Sequence, residues 1–177
     1  MLEVFNPADA ADNIRAFLEA GGNVLFVIMI TTFVMWALIV ERLIYFSTAN
    51  GNVRKRAINA WDERTDHTSW YAHAIREKLI SEVKLTATSN LGLIKVLVAV
   101  SPLLGLLGTV TGMVEVFDVM AVTGSSNARL MAGGITKATI PTMAGLVASL
   151  SGILAMNILD RQAKKTISSV SDRLAFN

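Results

Sequence analysis

The chain has 177 residues, of which 53% are hydrophobic and 17% charged, with a net charge of +2, two histidines and no cysteine. Its length allows one ordinary globular domain, but this composition, with a mean hydropathy of +0.50, points to a membrane protein. The missing cysteine excludes disulfides, thiolate metal sites and thiol nucleophiles.

Three stretches carry no acidic or basic residue: between Glu19 and Glu41, between Lys95 and Glu115, and between Lys137 and Asp160. Each holds 19 or more residues. As helices they reach ~28 Å or more, against a hydrocarbon core of ~30 Å. An all-α membrane protein with three spans is expected. Basic residues set its orientation. Arg42, Arg54, Lys55 and Arg56 follow the first span, and Arg161, Lys164, Lys165 and Arg173 follow the third. The segment before the first span carries Glu3, Asp9, Asp12 and Glu19 against Arg15 alone, and the loop between the second and third carries Arg129. The positive-inside rule then places the N-terminus outside (periplasmic) and the C-terminus in the cytoplasm. The pI of about 9.1 needs no nucleic acid; basic inner flanks suit anionic lipids of the cytoplasmic leaflet.

In chain order, residues 1–22 read as an amphipathic helix on the outer surface. Asn6 caps it, Pro7 stands at its first position, and Ile14, Phe17 and Leu18 recur at helical spacing up to Gly21 and Gly22. The apolar run that follows is too long, and its leading flank too acidic, for a signal peptide, so it is expected to remain as an anchor. The first span, 23–46, is rich in Phe, Met, Ile, Val and Leu, with Trp36 inside and Tyr45 near its inner end. It reads as the lipid-facing helix, and Thr31 and Thr32 as bonding their own helix.

Residues 47–95 form a cytoplasmic helical region. Ile58, Trp61, Trp70, Tyr71, Ile75, Leu79, Ile80 and Val83 supply apolar positions, interrupted around Asp66 to Ser69, which predicts two short helices joined near His67. His67 and His73 are not placed on one helix face, and no metal site is expected there.

The second span, 96–118, and the third, 137–160, differ in chemistry from the first. At 100° per residue Ser101, Gly105, Gly108 and Gly112 share one side, with Thr109 at its edge. Thr142, Gly145, Ser149 and Gly152 form a similar stripe on the third span, with Ala138 and Met156 on the same side. Small residues of this kind allow close helix contact. Pro102 is the stronger candidate for a kink, whereas Pro141 is expected in about the first turn of its span, where it is tolerated. Between these spans lies a periplasmic loop, 119–136, and after the third a cytoplasmic tail, 161–177. Glu115 and Lys137 stand at similar depth near the outer interface, as an ion pair at an outer mouth or with Glu115 and Asp118 gathering cations there.

Proton or ion passage through a membrane normally needs an ionisable group near its middle, and none of the three spans has one there. The hydroxyls of Thr109 and Thr142 line a wet passage but do not hold a proton near neutral pH. Any titrating carboxylate has to come from a partner. The chain also lacks a Gly-x-Ser-x-Gly elbow, a Walker loop and an HExxH motif, so neither an enzyme nor a cofactor is expected.

Ser101 to Met113 reads SPLLGLLGTVTGM, and this segment resembles the second membrane helix of the ExbB/TolQ/MotA family, the proton-channel subunits of energy-coupling motors. Pro102, Gly105, Gly108, Thr109, Val110 and Gly112 match its pattern in order. Gly134, Ile135, Ala138, Thr142, Gly145, Leu146, Val147 and Ala148 match a second pattern in the third helix. The resemblance covers about residues 10 to 165 and is nearest to the ExbB branch.

What this resemblance implies is a non-enzymatic subunit of the bacterial inner membrane, assembled as a homopentamer. Its second and third helices surround a pore occupied by a dimer of a single-span ExbD-type partner, which brings the aspartate. With a TonB-type protein, such complexes use the proton-motive force to drive uptake across the outer membrane. Thr109 and Thr142 fall on the family's polar pore positions. Many members have a glutamate where Lys137 stands, so a carboxylate role there does not carry over. The loop and tail are shorter than in the longer members. A TolQ-like subunit of the Tol-Pal envelope system and a self-sufficient homo-oligomeric ion channel remain the alternatives; a flagellar stator subunit fits less well, since MotA-like chains carry four membrane helices.

Overall fold

Residues with long apolar side chains and few breakers give helices that run well beyond the charge-free stretches. In the computed structural model these are α1 (Pro7–Thr48), α2 (Asn50–Asp62), α3 (Trp70–Thr88), α4 (Leu91–Thr123) and α5 (Ala128–Arg173). The structure describes the backbone of residues 7–48, 50–64, 66, 69–124 and 128–174, and their side chains except at 7–14, 16, 19–20, 50, 123 and 128–130. The Asn6 cap, His67 and the side chains of Asp9, Asp12, Ile14, Glu19 and Arg129 lie outside the described residues.

The protein is all-α: among the described residues every regular element is helical. Three stretches are long and apolar enough to cross a membrane: Gly21–Thr48, Trp70–Val122 and Met131–Arg173. The second of these takes in both α3 and α4. Within α1 the helix is broken at Gly22, whose φ of 61° and ψ of −161° suit a residue without Cβ. Helices α4 and α5 continue through Pro102 and Pro141.

The chain divides into two units, Met1–Val34 with Leu97–Ser151, and Met35–Val96 with Gly152–Asn177. In the first, Leu25, Ile28, Ser101, Ala138, Pro141 and Ala148 are buried. Large apolar side chains point outward, including Phe33 on α1, Leu106 and Val110 on α4, and Leu146 and Val147 on α5. Such an exterior suits hydrocarbon or further helices rather than water.

The second unit has a core of its own. Trp61 of α2, Ala72 and Val83 of α3, Val170 of α5 and Leu174 just after it are buried together. On α5, Met156, Leu159, Ala163, Thr166 and Val170 are all buried, at alternating intervals of three and four, with Leu174 buried just beyond its end, while Arg161, Lys164, Lys165 and Arg173 face outward. The segment expected as a tail is therefore mostly a packed amphipathic helix. Its basic residues dominate the composition and obscure a stripe that includes alanine and threonine.

Polar contacts fix the ends of these helices. Ser69 caps α3, its hydroxyl accepting from the Ala72 N–H at 3.2 Å while itself held by Asp66. Arg76 donates through Nε to the Leu174 carbonyl at 2.7 Å and through Nη2 to the Ser171 carbonyl at 3.2 Å. Carbonyls at a helix C-terminus lack intrahelical donors, and a guanidinium both satisfies them and offsets the helix dipole. Arg42 is buried, lies 5.1 Å from the Tyr45 ring centroid and donates to Glu41 at 3.0 Å and to the Thr86 carbonyl at 3.2 Å. Glu41 in turn accepts from Asn90, the corner residue between α3 and α4 at φ 60°.

Trp61 and Trp70 share an apolar character in the sequence but not a role: Trp61 is 3% exposed and Trp70 82%. Replacing Trp61 by Ala is expected to destabilise this unit by about 3–5 kcal/mol. Trp70→Ala is expected to change stability by no more than about 0.5 kcal/mol. Thermal unfolding of the detergent-solubilised chain, followed by circular dichroism, measures both.

Candidate functional site

The small-residue stripes of α4 and α5 meet within the first unit. A methyl group added at Gly105 would lie 2.9 Å from Thr142 Cα and 3.0 Å from the Pro141 carbonyl oxygen. At Gly112 it would lie 2.7 Å from Ala138 Cβ, and at Gly145 2.5 Å from the Ser101 carbonyl oxygen. At Gly108 it would strike the Pro141 ring. As α4 advances from Ser101 to Gly112, its partners on α5 recede from Gly145 to Ala138, so the two helices run antiparallel along this seam. At Gly105, Gly112 and Gly145 the contacts reach the facing backbone, which glycine at each point permits. Gly134 belongs to the same seam, facing the side chain of Val116. The stripe drawn on the third span, 137–160, does not reach it, although the second motif includes it.

Of the other residues singled out in the stripes, Ser149 and Gly152 are both buried. Pro141 is not near the start of its helix. Since α5 begins at Ala128, Pro141 is an interior residue, and its buried ring fills the space left by Gly108. Residues 128 to 136 join the helix, Gly133 and Gly134 included, so the connection between α4 and α5 is far shorter than the charge pattern implies.

The two threonines separate. Thr142 donates its hydroxyl hydrogen across the seam to the Gly105 carbonyl at 2.8 Å. Thr109 donates within its own helix, to the Leu106 carbonyl at 2.7 Å. Both are half-buried. A hydroxyl has one hydrogen and two lone pairs, so each oxygen, with its hydrogen committed, still accepts. Neither side chain can carry charge. The seam thus offers oriented acceptors in a wall of small residues, and no ionisable group.

Toward the other end of the seam, a cavity of about 560 Å³ is bordered by Gly22 and Val24 of α1, Gly112 and Glu115 of α4, and Gly134 and Lys137 of α5. Glu115 and Lys137 are both exposed and both line it. They are not an ion pair: among the described residues such pairs join Arg42 to Glu41, Lys78 to Glu82, and Lys95 and Lys164 to Asp160. Similar depth alone does not bring two side chains together, and each of these borders the cavity. The sequence carried no sign of that cavity, which depends on where α1 passes: Val24 Cγ1 would stand 3.2 Å from a methyl group at Gly108.

A bundle of long apolar helices, with backbone-level contact between two of them and hydroxyls along the contact, defines a helical membrane protein whose polar chemistry runs along one helix pair. The chain belongs to the MotA/TolQ/ExbB proton channel family, whose model matches residues 47–172. Biopolymer transport protein exbB1 of Vibrio cholerae is 34% identical over 98 residues, which are 55% of this chain and 43% of that protein. Biopolymer transport protein ExbB of Pseudomonas putida is 30% identical over 99 residues, covering 56% of this chain and 30% of that protein. An ExbB of Helicobacter pylori is 26% identical over 159 residues, 90% of either chain. The match therefore spans less than half of the first two relatives and nearly all of the third.

The seam makes a direct prediction. Gly145→Ala meets a backbone oxygen that cannot step aside, and is expected to destabilise the α4–α5 contact by about 1–3 kcal/mol. Gly133 has nothing within 4 Å of an added methyl group. Gly133→Ala is expected to be neutral or stabilising by up to about 1 kcal/mol, from helix propensity alone. Thermal unfolding of the two variants side by side reads the difference.

Proposed function

We propose that the chain is an ExbB-type proton-channel subunit of an inner-membrane motor, coupling the proton-motive force through an ExbD-type partner to TonB-dependent uptake. It acts as a homopentamer, with its N-terminus periplasmic, its C-terminus cytoplasmic, and α4 and α5 lining a central pore that holds the partner's single-span dimer. The spans are 23–46, 96–118 and 137–160. The observation that carries this reading is the hydroxyl-bearing seam between two helices that have no ionisable group between Lys95 and Glu115 or between Lys137 and Asp160. Family membership and the ExbB names of the relatives support it.

In this reading the proton is held on the partner's carboxylate, and the drop across the membrane supplies ~2.3 kcal/mol per charge per 100 mV. Thr142, its hydrogen fixed on the Gly105 carbonyl, presents its lone pairs to water or to the protonated carboxyl. Thr109 does the same from α4. Their task is to order donors along the path. Gly105, Gly108, Gly112, Gly145, Ser149 and Gly152 keep the helices close, and Pro102 and Pro141 shape them. Glu115 and Lys137 set the potential at the outer mouth as separate charges.

The threonines can be tested apart from the fold. Thr109→Val removes a hydroxyl that bonds only its own helix, so assembly is expected to hold while proton flux through the reconstituted complex falls by about tenfold or more, about 1.4 kcal/mol on the barrier. Thr142→Val also removes a cross-helix bond of about 1 kcal/mol. Thr142→Ser keeps the hydroxyl and is expected to restore flux. Normal flux in both valine variants would remove the threonines from the pathway. Rapid conduction by this chain without a partner, unchanged when the partner is added, would favour a self-sufficient channel instead.

A further inference from the structure

A second concavity lies within the other unit, among α1, α2 and α5, with a volume of about 490 Å³. Leu43, Phe46, Arg54, Gln162, Lys165 and Ser169 border it. Its walls differ in chemistry. Leu43, 40% exposed, and Phe46 supply an apolar side from α1. Arg54 from α2 and Lys165 from α5 supply positive charge, while Gln162 and Ser169 add neutral polar groups. Among the described residues no carboxylate borders the groove.

The contrast with the neighbouring lysines is informative. Lys164 pairs with Asp160 at 2.9 Å, and Lys95 reaches the same carboxylate at 3.7 Å. Among the described residues no ion pair includes Arg54 or Lys165. Two cations from different helices that border one concavity repel each other until an anion enters. The groove's place along the chain identifies the anion. Leu43 and Phe46 come just after Glu41, which closes the first charge-free stretch, and Lys165 comes about one turn after Asp160, which closes the third. That is the level at which hydrocarbon gives way to headgroups.

We propose that this groove binds an anionic phospholipid of the inner leaflet, with Arg54 and Lys165 on the phosphodiester and Leu43 and Phe46 against the upper acyl chain. The leaflet rests on the orientation proposed above. An apolar wall favours a lipid over free phosphate. With no carboxylate to receive an ammonium group, the groove prefers phosphatidylglycerol to zwitterionic headgroups. This is a defined site, beyond the general attraction of basic flanks for an anionic surface.

The test is titration of the purified, delipidated full chain in detergent, with bound lipid counted by native mass spectrometry. Wild type is expected to bind phosphatidylglycerol roughly 30-fold more tightly than the Arg54→Gln, Lys165→Gln double variant, equivalent to about 1 kcal/mol for each of two cations. Lys78→Gln with Lys84→Gln, the same change in net charge elsewhere, is expected to leave binding unchanged, and Lys165→Arg to retain it. Equal binding by the Arg54/Lys165 variant, or an equal loss in the control, would overturn the site. Binding of glycerol phosphate or phosphatidylcholine as tight as that of phosphatidylglycerol would overturn the assignment of its ligand. The side of the membrane is read separately. Because the chain has no cysteine, Ser168→Cys can be labelled in sealed vesicles. Labelling from the periplasmic side would overturn the orientation, while the detergent titration would still stand or fall by itself.

Discussion

Glycine at three points allows the backbones of α4 and α5 to touch, and the chemistry of the candidate site depends on that approach. With Gly105 and Gly145 in place, Thr142 Cα and the Ser101 carbonyl occupy the space where side chains would otherwise stand. Only at this separation can the short Thr142 hydroxyl reach a carbonyl on the other helix. Lipid tails are as apolar as leucine, so helices in a membrane gain little by hiding apolar surface from one another. Close packing and hydrogen bonding remain as the forces that pair them, and this seam supplies both.

The second unit is held by different means. Its helices carry charge on one side and bury Trp61, Val170 and Leu174 on the other, as a water-soluble bundle does. Arginine closes its ends: Arg76 holds the last carbonyls of α5, and Arg42 links Thr86 and Glu41. The planar guanidinium suits both places, because it donates in several directions from a side chain whose stem can be buried. These contacts join residues up to 98 positions apart, and no local spacing rule reveals them.

The legible parts of the site are those that depend on one helix at a time. A wheel drawn on either span places Gly105, Gly108 and Gly112, or Thr142 and Gly145, on one side, because rotation per residue is a property of a single helix. Facing partners are different. Whether Gly108 meets Pro141 or Ala138 depends on the axial offset of two helices, which is set by every contact along them together. Pro141 shows the same limit. Placed early in a helix by the charge pattern, it turned out to be interior, since Gly133 and Gly134 stay helical where the sequence suggests a loop.

Charge spacing and hydropathy were sufficient for the all-α class, the three apolar stretches and the lack of any ionisable group near their middles, because transfer from water to hydrocarbon depends on composition over a window and little on tertiary detail. Two motifs in order were sufficient for the family. Tertiary structure alone decided that the Thr142 hydroxyl crosses to Gly105 while that of Thr109 stays on its own helix, and that Glu115 and Lys137 face a cavity without pairing. A hydrogen bond or an ion pair forms or fails over a few tenths of an ångström to an ångström, a precision that only the packed backbones supply.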